Sequence, residues 1–147
     1  MSYIHEKGVI HLDLKPNNIV CVTRKDDDPR VKIIDFGLAR RLHSEDSIPI
    51  AMCGTPEFIS PEVMRCTMAS RASDMWSVGV VVFMLVTGGH SPFYSRNKYK
   101  MQRHALRGNY NIEQFPGVSR DAKDIVRGLI MVSPDRRLTA AECLAHR

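Results

Sequence analysis

The apolar residues change their spacing near Ser60, and that change confines the chain to a fold that joins a few short strands to a helical body. Before it, Val9-Ile10, Ile19-Val20-Cys21-Val22 and Val31-Lys32-Ile33-Ile34 are brief β-branched runs. The last two flank Arg24-Lys25-Asp26-Asp27-Asp28-Pro29-Arg30, a polar stretch with one proline, so they read as a hairpin. After Ser60 the pattern is helical. One helix is expected over 70–87, closed by Gly88, a second over 97–107, closed by Gly108, and a third over 119–131, stopped by Pro134. In the third, Ala122, Ile125, Val126 and Leu129 share a face, and Thr139 is placed to cap a last helix over 140–146.

The run from Trp76 to Val86 is broken only by Ser77 and Gly79. A membrane span needs about 20 apolar residues, and Asp74 and Thr87-Gly88-Gly89 bound this one, so it reads as a buried core helix with Trp76 inside. With 147 residues, 44% of them hydrophobic and 25% charged, the chain has the material of one ordinary core and shell, which excludes a disordered or fibrous chain. The net charge of +5 comes from Lys and Arg scattered along the sequence without interleaved aromatics, so no nucleic-acid role is expected. Met1 to Lys7 lack the basic-then-apolar pattern of a secretory signal. The four cysteines, Cys21, Cys53, Cys66 and Cys143, have neither CxxC nor Cys/His ligand spacing, and reduced thiols in a cytoplasmic protein are expected.

The residues that carry chemistry lie between the short strands. His11-Leu12-Asp13-Leu14-Lys15-Pro16-Asn17-Asn18 offers a carboxylate, an ammonium and an amide on one loop. Such a set can orient a hydroxyl, neutralise a phosphate and ligate a metal, which are the needs of phosphoryl transfer. By itself it also reads as a solvated turn. Ile33-Ile34-Asp35-Phe36-Gly37 narrows the choice: a strand ending in Asp-Phe-Gly delivers a second carboxylate, and Gly37 lets the chain turn sharply away. Magnesium favours one or two oxygen ligands plus substrate phosphates, so Asp35 with Asn18 is a chemically sensible pair.

These two segments, followed by Cys53-Gly54-Thr55-Pro56-Glu57-Phe58 and Ser60-Pro61-Glu62, resemble the protein kinase family, whose catalytic loop reads H-R-D-L-x-x-x-N, whose metal-binding strand ends in D-F-G and whose next motif is A-P-E. The resemblance implies an α+β fold, a mostly helical C-terminal lobe with short β-hairpins at the catalytic loop, and an ATP- and Mg2+-dependent enzyme acting on protein substrates. It implies that Asp13 receives or orients the substrate hydroxyl's proton, that Asn18 and Asp35 hold magnesium, and that Lys15 lies beside the transferred phosphate as in serine/threonine kinases. Thr55, in the loop that borders the substrate residue after the acceptor, matches the residue that packs on Lys15 and Asp13. His11 and Phe36 match members of an apolar spine. Asp74 matches the aspartate that bonds the catalytic-loop backbone, and its place near a helix start also suits an acidic cap. Glu62 matches the glutamate of a buried ion pair, with Arg137 as partner.

No segment resembles the glycine-rich loop, the strand lysine or its glutamate partner, so residues 1–147 are expected to be a partial kinase domain: the larger lobe, without the N-terminal lobe that would act in cis and with its last helix cut short. The isolated piece is expected to be inactive, and a non-catalytic binding or scaffold module is the alternative. Leu12 stands where most of the family carries arginine. His11-Leu12-Asp13-Leu14-Lys15-Pro16 is similar to the myosin light chain kinase, titin, obscurin and death-associated kinase branch, which implies a calcium/calmodulin-linked regulatory segment outside this chain. No membrane partner is expected. A leucine cannot pair with phosphate, so phosphorylation at Ser44 or Ser47 is not the main switch. Replacing either serine with aspartate in the full-length protein is expected to leave its activity essentially unchanged in a transfer assay; a large rise would overturn this.

Overall fold

The computed structural model describes residues 1–22, 30–42 and 46–146. The polar turn expected over 24–30 lies, but for Arg30, outside the described residues, as does Ser44. In chain order the elements are α1 (Ser2–Glu6), β1 (Val9–Ile10), β2 (Ile19–Cys21), β3 (Val31–Ile33), β4 (Arg40–Arg41), β5 (Ser47–Pro49), α2 (Pro61–Met64), β6 (Met68–Ser70), α3 (Arg71–Val86), α4 (Lys98–Arg107), α5 (Arg120–Leu129) and α6 (Ala140–Ala145).

The strands form three two-stranded antiparallel ladders. β2 pairs with β3 as expected, with Ile19 opposite Ile33 and Cys21 opposite Val31. The other two ladders, β1 with β4 and β5 with β6, are absent from the sequence reading. Arg40-Arg41 and Met68-Ala69-Ser70 carry no run of β-branched residues; long-range pairing, not propensity, makes them strands.

The helical half follows its sequence signals closely. Ser70 caps α3 in a reciprocal capping box with Ser73, its Oγ accepting from the Ala72 N–H. Asn97 caps α4, and Gly108 ends it in the left-handed conformation at φ 61°. Ser119 caps α5 and Thr139 caps α6, the latter in a box with Glu142. α5 ends at Leu129, sooner than expected, because the chain leaves helical geometry at Ile130 (ψ 58°) before Pro134 opens a short 3₁₀ turn.

α3 is the axis of the core. Trp76, Val80, Val81 and Phe83 are buried on it, Trp76 stacks on Phe93 at 5.5 Å, and Val126 and Ile130 pack into the same cluster. Gly79, which interrupts the apolar run, marks where α3 meets α5: a Cβ there would lie 2.7 Å from the Leu129 Cβ, so only glycine admits the approach.

Behind this core, Glu62 and Arg137 form a two-pronged ion pair, Nη1 to Oε1 at 2.8 Å and Nη2 to Oε2 at 3.0 Å. Both side chains are buried. The remaining guanidinium donors reach the carbonyls of Met131 and Ala72, the Trp76 ring lies against the guanidinium, and Ser73 donates to Oε1 of Glu62. Burial pushes the Glu62 carboxyl up, but the bonds and charge of Arg137 outweigh it and hold the group below its ordinary value of 4.5. A group depressed in the folded state contributes stability above its unfolded value and loses it as pH falls through the folded one. Replacing Glu62 with Gln leaves a buried cation unpaired and is expected to cost about 3–5 kcal/mol in denaturant unfolding at neutral pH. The variant should also show a shallower loss of stability below pH 4.5 than the parent.

Candidate active site

The site is built around Asp74, a carboxylate with no exposed surface near the start of α3. It accepts the His11 N–H at 2.8 Å, the Leu12 N–H at 2.9 Å and the His5 Nε2–H at 2.9 Å. Ser70 makes the cap, and Asp74 is the acidic residue of the first turn; its oxygens accept from the His11 and Leu12 N–H groups and from His5 rather than from the helix's own N–H groups. These bonds hold Leu12 at φ 67°, a left-handed conformation that costs of order 1–3 kcal/mol for a residue other than glycine. His5 is the member that the sequence reading missed. Its only sequence signal is a lone histidine in the short segment that leads into β1.

Downstream of this anchor the loop gathers its polar side chains. Lys15 Nζ donates to Asp13 Oδ2 at 2.8 Å and to Thr55 Oγ1 at 2.9 Å. Thr55 in turn donates to Asp13 Oδ1 from its hydroxyl at 2.8 Å and from its backbone N–H at 3.0 Å. Asn18 Nδ2 donates to the Asp13 carbonyl at 2.8 Å. Asp13, Lys15, Asn18 and Thr55 therefore come together as one cluster. Gly54 makes the approach possible: at φ 95°, with a Cβ only 2.6 Å from the Leu12 carbonyl, no other residue fits. Partial burial raises the Asp13 carboxyl, and the hydrogen bonds from Lys15 and Thr55, with the lysine charge, more than reverse it, so the group stays ionised well into acid.

Asp35 reaches the same edge through the hairpin. Ile19 pairs with Ile33, and the Ile34 N–H donates to the Asn18 carbonyl at 2.9 Å, so Asp35 continues past the ladder next to Asn18. The sharp turn falls at Asp35 itself, at φ 61°, and not at Gly37 as expected. Gly37 matters for room: its N–H donates to Asp35 Oδ1 at 3.3 Å, and a Cβ there would sit 3.1 Å from that oxygen. With Asn18 Nδ2 committed to Asp13, its Oδ1 is the end left for a cation. An amide oxygen and an exposed carboxylate suit magnesium, and among the described residues no group of three or more His, Cys, Asp and Glu makes a complete protein cage.

His11 links the two halves. It is fully buried, its Nε2–H donates to the Ile34 carbonyl at 3.0 Å, and its Nδ1 accepts from the Asp13 N–H at 3.3 Å. Both nitrogens are occupied, which fits a packing role. Phe36 meets the His11 ring edge-on at 4.8 Å and is 45% exposed, the described residues covering one side of it only. Leu12 packs with Ile10, Leu42, Ile59, Val63 and Ala69, and Ile48 and Ile50 lie against them. Ser47, in β5, is therefore held by a strand ladder and apolar contacts.

The model of the protein kinase domain matches residues 1–147. Rabbit (Oryctolagus cuniculus) myosin light chain kinase 2, skeletal/cardiac muscle, is 44% identical over 146 residues, which is 98% of this chain and 23% of that protein. The smooth muscle myosin light chain kinase of Gallus gallus is 40% identical over 148 residues, 99% of this chain and 8% of that protein. Myosin light chain kinase family member 4 of Mus musculus is 40% identical over 148 residues, 99% of this chain and 37% of that protein. The chain belongs to the protein kinase domain family, and in sequence it is similar to the myosin light chain kinases. It spans well under half the length of these relatives.

Replacing Lys15 with Met removes a charge and a hydrogen bond from Asp13. In a carboxyl NMR titration, Asp13 is expected to move up toward or past its ordinary value of 3.8; an unmoved titration would contradict the account of its ionisation.

Proposed function

We propose that this domain transfers the terminal phosphoryl group of ATP to serine or threonine hydroxyls of protein substrates. Asp13 orients the acceptor hydroxyl and receives its proton as the new bond forms. Lys15, fixed between Asp13 and Thr55, places its ammonium beside the transferred group. Asn18 and Asp35 would hold magnesium, which neutralises phosphate charge when bound. Thr55 couples the loop that borders the substrate to the catalytic carboxylate, and His11, Phe36, Gly37, Glu62, Asp74 and Arg137 hold these groups in place.

The observation that carries this reading is the closed set of bonds among Asp13, Lys15 and Thr55. A carboxylate held against an ammonium and a hydroxyl, and kept from full burial, suits proton removal next to a phosphate. The glycine-rich loop and strand lysine of the family find no counterpart in residues 1–147, so these residues alone are proposed to transfer phosphate negligibly. An N-terminal lobe acting in cis, a calcium/calmodulin-linked segment outside residues 1–147 and a cytoplasmic location belong to the same proposal.

In the full-length protein, Asp13→Asn is expected to lower kcat by about 10²–10⁴-fold while nucleotide affinity stays close to the parent's. Radiolabelled phosphate transfer and nucleotide binding measure the two effects. Undiminished transfer by Asp13→Asn would dismiss the catalytic role, and the scaffold reading would stand.

A further inference from the structure

The cations of residues 96–107 gather on one helix, α4 and its lead-in. Across residues 63–112 the only acid is Asp74, which is buried and fully committed to the loop. The same stretch contains Arg71, which pairs with Asp46, and Arg65, Arg96, Lys98, Lys100, Arg103 and Arg107. Met101 and Ala105 turn inward from α4 to the core that contains Phe58, and Arg65 ties α2 to α4 through the Leu106 carbonyl at 3.1 Å. At 3.6 residues per turn, the opposite face then presents Tyr99, Lys100, Arg103 and Arg107 together, all exposed. Among the described residues none of these cations has an acidic partner.

α5 makes the contrast. On it Arg127 pairs with Asp124 and Glu113, and Lys123 pairs with Glu113. On α4, Lys100, Arg103 and Arg107 are spaced three and four apart, where like charges repel. Lys98 and Lys100 also sit in the first turn, which has no acidic residue and where the helix dipole disfavours cations. Asn97 caps this helix and Arg107 suits its last turn, but among the described residues no acidic side chain neutralises Lys98 or Lys100. Tyr99 on this face is 83% exposed, and Tyr94, four residues before α4, is 71% exposed, two large rings with a polar tip next to the cations in the chain.

We propose that the outer face of α4 docks an acidic segment of a protein partner, with Tyr94 and Tyr99 as apolar anchors and Lys100, Arg103 and Arg107 pairing with its carboxylates. Rings at the centre with arginines around them are the composition of binding hot spots. The docking uses no residue of the Asp13 loop, so it stands or falls independently of phosphoryl transfer.

The test is fluorescence anisotropy with the full-length protein and a labelled peptide alternating Glu with Ala and Leu. A Lys-for-Glu version of that peptide, a 20-base-pair DNA duplex and phosphatidylserine vesicles are run beside it. The acidic peptide is expected to bind, and the triple variant Lys100→Ser, Arg103→Ser, Arg107→Ser to weaken it at least tenfold. The equal-charge control Lys7→Ser, Arg120→Ser, Arg136→Ser should bind as the parent does. The α4 variant should melt no lower than the parent, because it relieves repulsion. Equal loss in the control, no binding by the parent, or tighter binding of DNA or vesicles lost in the α4 variant would each overturn the assignment.

Discussion

One buried carboxylate organises the site. Asp74 has no access to water, so its charge must be satisfied by donors that come to it, and two of the three are consecutive backbone N–H groups of the loop that carries Asp13. Consecutive N–H groups can converge on one carboxylate only if the chain between them is bent, and Leu12 supplies the bend by adopting a left-handed conformation. The strain at Leu12 and the aim of Asp13 are thus two results of the same interaction. Because Asp74 rides on α3, the position of the loop is inherited from the core around Trp76 and Val80, the least deformable part of the molecule.

The Glu62–Arg137 pair does for the loop of residues 53–60 what Asp74 does for the Asp13 loop. Arg137 joins the segment after α5, the first turn of α3 and the start of α2 through side-chain and carbonyl contacts. A buried pair of this kind adds little net stability over an apolar replacement, yet its geometry is stringent. It fixes where α2 begins, and with it the loop that sets Thr55 on Asp13 and Lys15. Two buried charge networks that both involve the start of α3 therefore support one partly buried cluster, Asp13, Lys15, Asn18 and Thr55.

The surface divides along the same axis. α5 pairs its cations with Glu113 and Asp124, whereas the cations of α4, next to α2 and the Phe58 segment, have no acidic partner among the described residues. Charges that are balanced internally support the fold, and charges left unbalanced are available to something else.

The starts of α3, α4, α5 and α6 were legible from the sequence because capping chemistry is local: Ser70, Asn97, Ser119 and Thr139 sit one residue before the helices they start. Asp13, Lys15, Asn18 and Asp35 were legible through their order and residue types, which resemble a known family, and the Ile19–Ile33 register follows from two β-branched runs. What the sequence could not determine rests on long-range contact. The β1–β4 and β5–β6 ladders, the burial of His5 beside Asp74, the turn at Asp35 in place of Gly37 and the turning of Met101 and Ala105 inward from α4 each join residues distant in the chain or depend on which face of an element turns inward. Local propensity and spacing carry no information about such partners; only the packing of α3 against its neighbours decides them.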